Sequence, residues 1–176
     1  MNYAQIKKFD IANGTGVRVS LFVSGCTHHC IGCFNSEAWP FDYGEKYTNE
    51  TEQEIIDALA PSYIKGLSLL GGEPFEKQNL PVLLELVEKV RKIYPLKTIW
   101  VYSGYTFEKD ILEKMSKSRS EVIPFLEKTD VLVDGEFIEN MKNLSLKFRG
   151  SENQRIIDVR KSLDTGVTVL MNESEI

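Results

Sequence analysis

Cysteine is scarce in this 176-residue chain. There are three, an odd number, and all fall in the run CTHHCIGC, at Cys26, Cys30 and Cys33. That count and crowding exclude a disulfide framework. Histidine is scarcer still: His28 and His29 sit in the same window. Positive charge is not in excess, and a formal net charge of -5 argues against a nucleic-acid-binding surface. No apolar run approaches the roughly 20 residues of a membrane-spanning helix. The opening MNYAQIKKFDIANG lacks the apolar region of a signal peptide. The expectation is an unexported, cytoplasmic protein whose clustered thiols stay reduced. With no repeat, low-complexity segment or linker, residues 1–176 are expected to form one domain able to bury a core without disulfides.

What the chain does have is the spacing Cys-x3-Cys-x2-Cys. Four-iron, four-sulfur clusters normally take one thiolate per iron. Three thiolates leave one iron open, or require a ligand other than cysteine. An open position is where metal chemistry happens, as in catalytic rather than structural zinc sites. The rival is a Cys3His zinc site using His28 or His29, which would make the chain a non-catalytic zinc or iron-sulfur module. Zinc motifs usually come as two Cys/His pairs separated by a longer finger, whereas this is a single knot.

Short β-branched runs alternate with helical patterns. Val17 to Val23 reads as a strand leading into the cysteines. Thr51 and Glu54 suggest a capping box for a helix burying Ile55, Ile56 and Leu59 and stopping before Pro61. Gly66 to Leu70 is a strand ending at Gly71-Gly72-Glu73-Pro74. Leu80, Leu83, Leu84, Val87, Arg91 and Tyr94 recur at helical spacing, and Pro95 closes that helix. Thr98 to Tyr102 is a strand ending at Ser103-Gly104. Phe107, Ile111, Leu112 and Met115 mark another helix, and Val131 to Val133 a strand ending at Asp134-Gly135. Ile156 to Val159 reads as strand or helix, and Gly166 to Met171 as a last strand. The pattern predicts a single-domain α/β fold: a parallel sheet with right-handed crossovers, in an open, partial β/α barrel. The cysteine, GGEP, SGY and DG loops all follow strands, so they converge on one edge, where parallel α/β proteins build sites.

In the second loop, paired glycines let backbone approach a ligand closely and offer carbonyls to an ammonium group; Gly-Gly also serves a plain strand-to-helix turn. Ser103 offers a hydrogen bond to a ribose or carboxylate, or a turn cap. Asp134 offers a carboxylate to a ribose hydroxyl, a cation or a nearby basic residue, or makes an ordinary Asp-Gly turn. Taken together, the cysteine triplet and Gly71-Gly72-Glu73 one strand later resemble the radical S-adenosylmethionine (SAM) family. That resemblance implies a 4Fe-4S cluster on Cys26, Cys30 and Cys33, with SAM on its open iron and its amino group at Gly71, Gly72 and Glu73. Many members carry an aromatic residue just before the third cysteine; here Gly32 stands there and Phe34 follows. Adenine is therefore expected along Gly32, Cys33 and Phe34, while core packing is the other role open to Phe34.

The segments NGTGVRVSLFVSGC, VLVDGEF and FRGSENQRI (Phe148 to Ile156) resemble the anaerobic ribonucleotide reductase activating enzymes, over about Asn13 to Val159. The resemblance implies reductive cleavage of SAM, abstraction of a glycine α-hydrogen on the reductase, and a flavodoxin-like electron donor. No catalytic acid, base or nucleophile of the protein is implied. Arg149 and Arg155 offer forked donors for docking a partner peptide, whereas Ser151 and Gln154 also spell a capping box. An activase of another glycyl-radical enzyme and a small-molecule radical SAM enzyme are the alternatives within the class.

Overall fold

The structure, a computed structural model, describes residues 1–172. Its strands are β1 (Asn2–Asp10), β2 (Val17–Val23), β3 (Glu45–Lys46), β4 (Ile64–Gly71), β5 (Thr98–Tyr102), β6 (Val131–Asp134) and β7 (Arg155–Asp158). They form one sheet in the order β3-β1-β2-β4-β5-β6-β7. The four central strands, β2, β4, β5 and β6, run parallel. The sheet stays open, because its outer strands β3 and β7 lie at opposite edges. It is the partial barrel expected, but not wholly parallel. β1 and β3 on one side and β7 on the other are antiparallel additions. β1 reaches β2 through the short turn 11–16, and a connection of that length permits only antiparallel pairing.

The helices are α1 (Asn49–Leu59), α2 (Leu80–Ile93), a π-helix at Phe107–Met115, α3 (Val122–Lys128) and α4 (Val159–Thr165). α1 buries Ile55, Ile56 and Leu59, but its capping box pairs Thr48 with Thr51, one turn ahead of the expected Thr51–Glu54 pair. The Phe107 helix is wider than an α-helix: Ile111 N donates to Thr106 O and Ser116 N to Ile111 O, both five residues back. At the tail, Asp158 ends β7 and caps α4, so the ambiguous stretch is strand first and then helix. Gly166 closes α4 with a left-handed φ of 72°. The strand expected over Gly166–Met171 reduces to one bridge, Ile157 with Leu170.

Two layers of core follow from strand alternation. On the convex face, Val19, Leu21, Leu67, Leu69, Ile99, Val101 and Leu132 pack with the buried faces of the helices. On the concave face, Trp100, Val131, Val133 and Ile156 form a smaller cluster, joined by Tyr102 and Phe148. Arg18 fills that face near the start of the parallel strands. It is fully buried, donates to Ser68 Oγ, Thr98 Oγ1 and the carbonyls of Leu67 and Thr98, and lies 5.4 Å from the Trp100 ring. Burial lowers its pKa to about 10, opposed by the charges of Tyr102, Asp130 and Asp10. With that end plugged, the open space lies at the carboxyl ends of the strands.

Candidate active site

β2 ends in Val23, and the chain turns at once into the cysteine loop. Gly25, with φ 93°, has no room for a side chain: a Cβ there would lie 2.2 Å from the Phe41 ring. Gly25 N and Cys26 N donate to Ala38 O and Trp39 O. The loop is stitched to the loop after β4. Gly72 N donates to Val23 O at 2.7 Å and Glu73 N to Gly25 O at 2.8 Å. Buried Asn79 Nδ2 bonds both Ser24 O and Glu73 O. Thr27 donates through its backbone N–H and its hydroxyl to Glu76 Oε1. Glu76 and Asn79 carry no motif letter of their own. Their only sequence signal was their place in the turn after Gly71-Gly72-Glu73.

Glu73 is almost fully buried and its carboxylate is saturated. Oε1 accepts from Phe75 N and Ser103 Oγ; Oε2 accepts from Gly104 N and meets His28 Nε2 at 3.1 Å. His28 Nδ1 lies 2.8 Å from Glu136 Oε1, so the imidazole ties the cysteine loop to the loops after β4 and β6. Burial alone would lower the His28 pKa. Glu73 and Glu136 outweigh it and raise the value to about 9. His29 stacks on Trp39 at 4.7 Å and holds a left-handed φ of 52°.

These loops enclose a cavity of about 500 Å3, within the range of small-ligand sites. All three cysteines line it, with Gly32 and Phe34, Gly71, Gly72 and Glu73, Ser103, and the connection between β6 and β7 from Lys142 to Gly150. The expected residues therefore share one space, except Asp134. That carboxylate is buried behind the wall, accepting from Phe107 N and from Arg155 Nε and Nη2. Arg155 is bidentate to Glu108 as well, at 2.9 and 2.7 Å. Four of its five N–H groups are spent inside the fold on Asp134 and Glu108, so its main role in this structure is to tie β7 to β6 and the Phe107 helix. Ser151 and Gln154 do not open a helix: Gln154 Oε1 accepts from Gly150 N and Ser151 N to close a loop. Phe34 is exposed at the cavity rim, so core packing is not its role.

Arg155→Met should therefore lower stability by roughly 3 kcal/mol, because it leaves Asp134 buried without its cation. Denaturant unfolding of the apoprotein checks this, and Asp134→Asn in the same background should recover part of the loss. Arg155 also holds the Glu108 carboxyl down to about 2, from an ordinary 4.5, helped by Thr168 and opposed by burial. A depressed acid stabilises the fold above its unfolded pKa. Its contribution is thus complete above about pH 4.5 and disappears as pH falls towards 2. Acid unfolding of Glu108→Gln should show a flatter stability profile across that window than the unsubstituted chain.

The donor set can be tested against the groups it would hold. Burial pushes the Cys26 thiol up to about 12, the charge of Glu73 adding to the effect while backbone N–H groups of His28 and His29 oppose it; burial likewise raises Cys30. Thiols so placed become thiolates when a strongly positive centre displaces their protons. Among the described residues no three His, Cys, Asp or Glu side chains gather tightly enough to hold a single metal ion. A cluster with one thiolate per iron does not require that convergence. His28 is committed to two carboxylates and His29 to Trp39, so neither stands ready as a fourth zinc ligand. The site fits a four-iron cluster with an open position better than zinc.

Comparison with known proteins agrees. The sequence model of the family described as "4Fe-4S single cluster domain" matches residues 12–157. The anaerobic ribonucleoside-triphosphate reductase-activating protein of Vibrio cholerae is 44% identical over 158 residues, 89% of this chain and 97% of that protein. This chain belongs to that family. The Escherichia coli K12 activating protein is 41% identical, covering 91% of this chain and 100% of its own length, and that of phage T4 is 40% identical, covering 89% and 93%. In such a site the loops would bind and orient, and a bound cluster would supply the redox chemistry. No helix among the described residues is long and apolar enough to cross a membrane.

Proposed function

We propose that this chain is a radical SAM activase that installs a glycyl radical on an anaerobic ribonucleoside-triphosphate reductase, residues 1–176 acting as one domain. The observation that carries this reading is that Cys26, Cys30 and Cys33 share one cavity with Gly71, Gly72 and Ser103. Cys26, Cys30 and Cys33 would hold the 4Fe-4S cluster, whose bound form supplies the electron that cleaves a carbon-sulfur bond of SAM. The backbone at Gly71 and Gly72 receives the ammonium group, and Glu73 keeps that loop in shape through its four hydrogen bonds. Gly32, Cys33 and Phe34 form the lip proposed for adenine. Asp134 contributes by anchoring Arg155 and the start of the Phe107 helix, not by touching ligand. Enclosure keeps water and competing hydrogen donors from the reacting atoms. A flavodoxin-like protein is the proposed electron donor, and the cytoplasm the proposed compartment.

The test is anaerobic reconstitution with iron and sulfide, reduction, and mixing with SAM and the reductase. Electron paramagnetic resonance should then show a glycyl-radical doublet on the reductase, with one 5′-deoxyadenosine formed per radical. Cleavage of SAM without a doublet on the reductase would instead favour another glycyl-radical partner or a small-molecule substrate. A reconstituted protein that neither holds iron nor cleaves SAM would refute the enzyme reading.

A further inference from the structure

Among the described residues, His28 is the one side chain of the cysteine loop bonded at once to the loop after β4 and the loop after β6. Carboxylates accept, so each ring nitrogen donates, one to Glu73 at 3.1 Å and one to Glu136 at 2.8 Å. The imidazole is nearly enclosed, with its side chain 8% exposed and the Tyr105 ring at 4.3 Å. Gly104 makes room for it: a Cβ there would lie 2.7 Å from His28 Nε2. Gly104 N also donates to the Glu73 oxygen that His28 meets. Burying such a group is costly unless it is paired, and the fold commits two carboxylates to holding this ring.

The partners of Glu73 are unevenly placed. Phe75 N, Ser103 Oγ and Gly104 N reach it from the loops after β4 and β5, and only His28 reaches it from the cysteine loop. Before His28, the cysteine loop is tied to the β4 side through Ser24 O, Gly25 O and Thr27. After His28 those ties stop: among the described residues, no hydrogen bond joins 29–34 to the loop after β4. Cys30 and Cys33 therefore lie beyond the last tie, and His28 is that tie.

We propose that His28 is a positioning residue for SAM cleavage: acting through Glu73, it holds the cysteine loop in register with the ammonium seat at Gly71 and Gly72. This rests on the SAM reading above and deepens it. In that reading SAM spans two seats, one on the backbone at Gly71 and Gly72 and one at the cysteines. Their separation decides where the sulfonium lies, and a misplacement of about 1 Å can cost roughly 100-fold in rate. Glu136, whose side chain is 58% exposed, is the outer partner; it steadies the ring and does not set the register.

The two donors of the ring can be removed one at a time. Glutamine places an N–H near the position of Nε2 and asparagine one near Nδ1. His28→Gln therefore keeps a donor for Glu73, and His28→Asn one for Glu136. Wild type, both variants and Glu136→Gln are reconstituted as full chains. Iron content, SAM affinity by equilibrium dialysis, and the electron paramagnetic resonance spectrum of the reduced protein with and without SAM are compared. All four should hold full iron, because the cysteines and the backbone ties at Gly25 are untouched. His28→Asn should bind SAM about tenfold more weakly, the scale of one hydrogen bond to a charged group. His28→Gln and Glu136→Gln should stay within about threefold of wild type. At saturating SAM the spectral change should be full in wild type and His28→Gln and diminished in His28→Asn, and kcat for SAM cleavage should follow the spectrum. Unfolding of the apoprotein should be non-additive for His28→Asn and Glu73→Gln, the double variant being no less stable than the weaker single one. Should His28→Asn not fold, Gly104→Ala, which crowds the ring on the Glu73 side, is read in its place and should weaken SAM to a similar degree. Equal iron loss in His28→Gln and His28→Asn would make His28 a residue of cluster assembly and overturn the proposal. A Glu136→Gln variant as weak as His28→Asn would move the route to Glu136 and overturn it too, as would additive unfolding losses. A wild type that binds SAM while His28→Asn binds it equally well refutes the role of His28 alone; a wild type that holds iron but binds no SAM refutes the function beneath it.

Discussion

Cys33→Ser should leave a folded chain that assembles no stable four-iron cluster and gives no measurable 5′-deoxyadenosine. Each of three irons needs its own thiolate, and no spare cysteine exists to substitute. Cys33 is half-buried on the cavity wall, in a turn closed by Cys33 N to Cys30 O at 3.2 Å, a bond the substitution leaves intact. Serine is close in size, so the fold should tolerate it, whereas its hydroxyl is a poor substitute for a soft thiolate on iron. Iron and sulfide analysis after anaerobic reconstitution should fall from about four of each per chain, the full complement of the cluster, to near background. Circular dichroism and the unfolding midpoint of the apoprotein should not move. Retention of both full iron and normal SAM cleavage would remove Cys33 from the ligand set.

The central strands and the motifs that follow them were legible because they obey local rules. Val17 to Val23, Thr98 to Tyr102 and the Leu80 helix declare themselves by β-branching or by period. The loops between them carry the residues that meet in space. Failures of sequence reading came where a partner distant in the chain decided the outcome. β1 is a strand because it pairs with β2 and β3, yet Gln5, Lys7, Lys8 and Phe9 are exposed and leave no clean alternation to read. Gly166 to Met171 has strand letters, but Gly166 is used to cap α4, and a single bridge is what remains. Asp134 and Arg155 each resembled a site residue on its own, and that Asp134 holds a basic residue was one of several roles open to it, with no sign of which basic residue. They lie 21 positions apart and satisfy one another, which composition cannot reveal. Arg149, a few residues earlier in the same motif, is the arginine that reaches the cavity. Nothing local distinguishes the two, because burial and pairing are tertiary facts.

Gly72→Ala should cost the protein both its cluster and its affinity for SAM. If the paired glycines served only close backbone approach to a ligand, a side chain here would obstruct the ligand and spare the cysteines. The structure changes the balance: a Cβ at Gly72 would lie 2.5 Å from Gly25 O and 3.0 Å from Gly25 C. Those are backbone atoms one residue ahead of Cys26, and Gly25 O is already accepting from Glu73 N. Backbone cannot swing aside as the end of a long side chain would, so the two loops must separate. Gly25 has no slack in the other direction, with the Phe41 ring against it. The expected result is a loop displaced at its first cysteine, with reconstituted iron at less than about half the wild-type content, because one of the three iron-bearing thiolates is misplaced. What cluster forms should bind SAM at least tenfold more weakly, a loss of about 1.4 kcal/mol or more. Gly104→Ala provides the contrast. A Cβ there would lie 2.7 Å from the His28 ring, a side chain with some freedom to turn, so iron content should be largely kept. If Gly72→Ala instead retains its full cluster and loses only SAM, the two loops are not coupled through this contact, and Gly72 acts on the ligand alone.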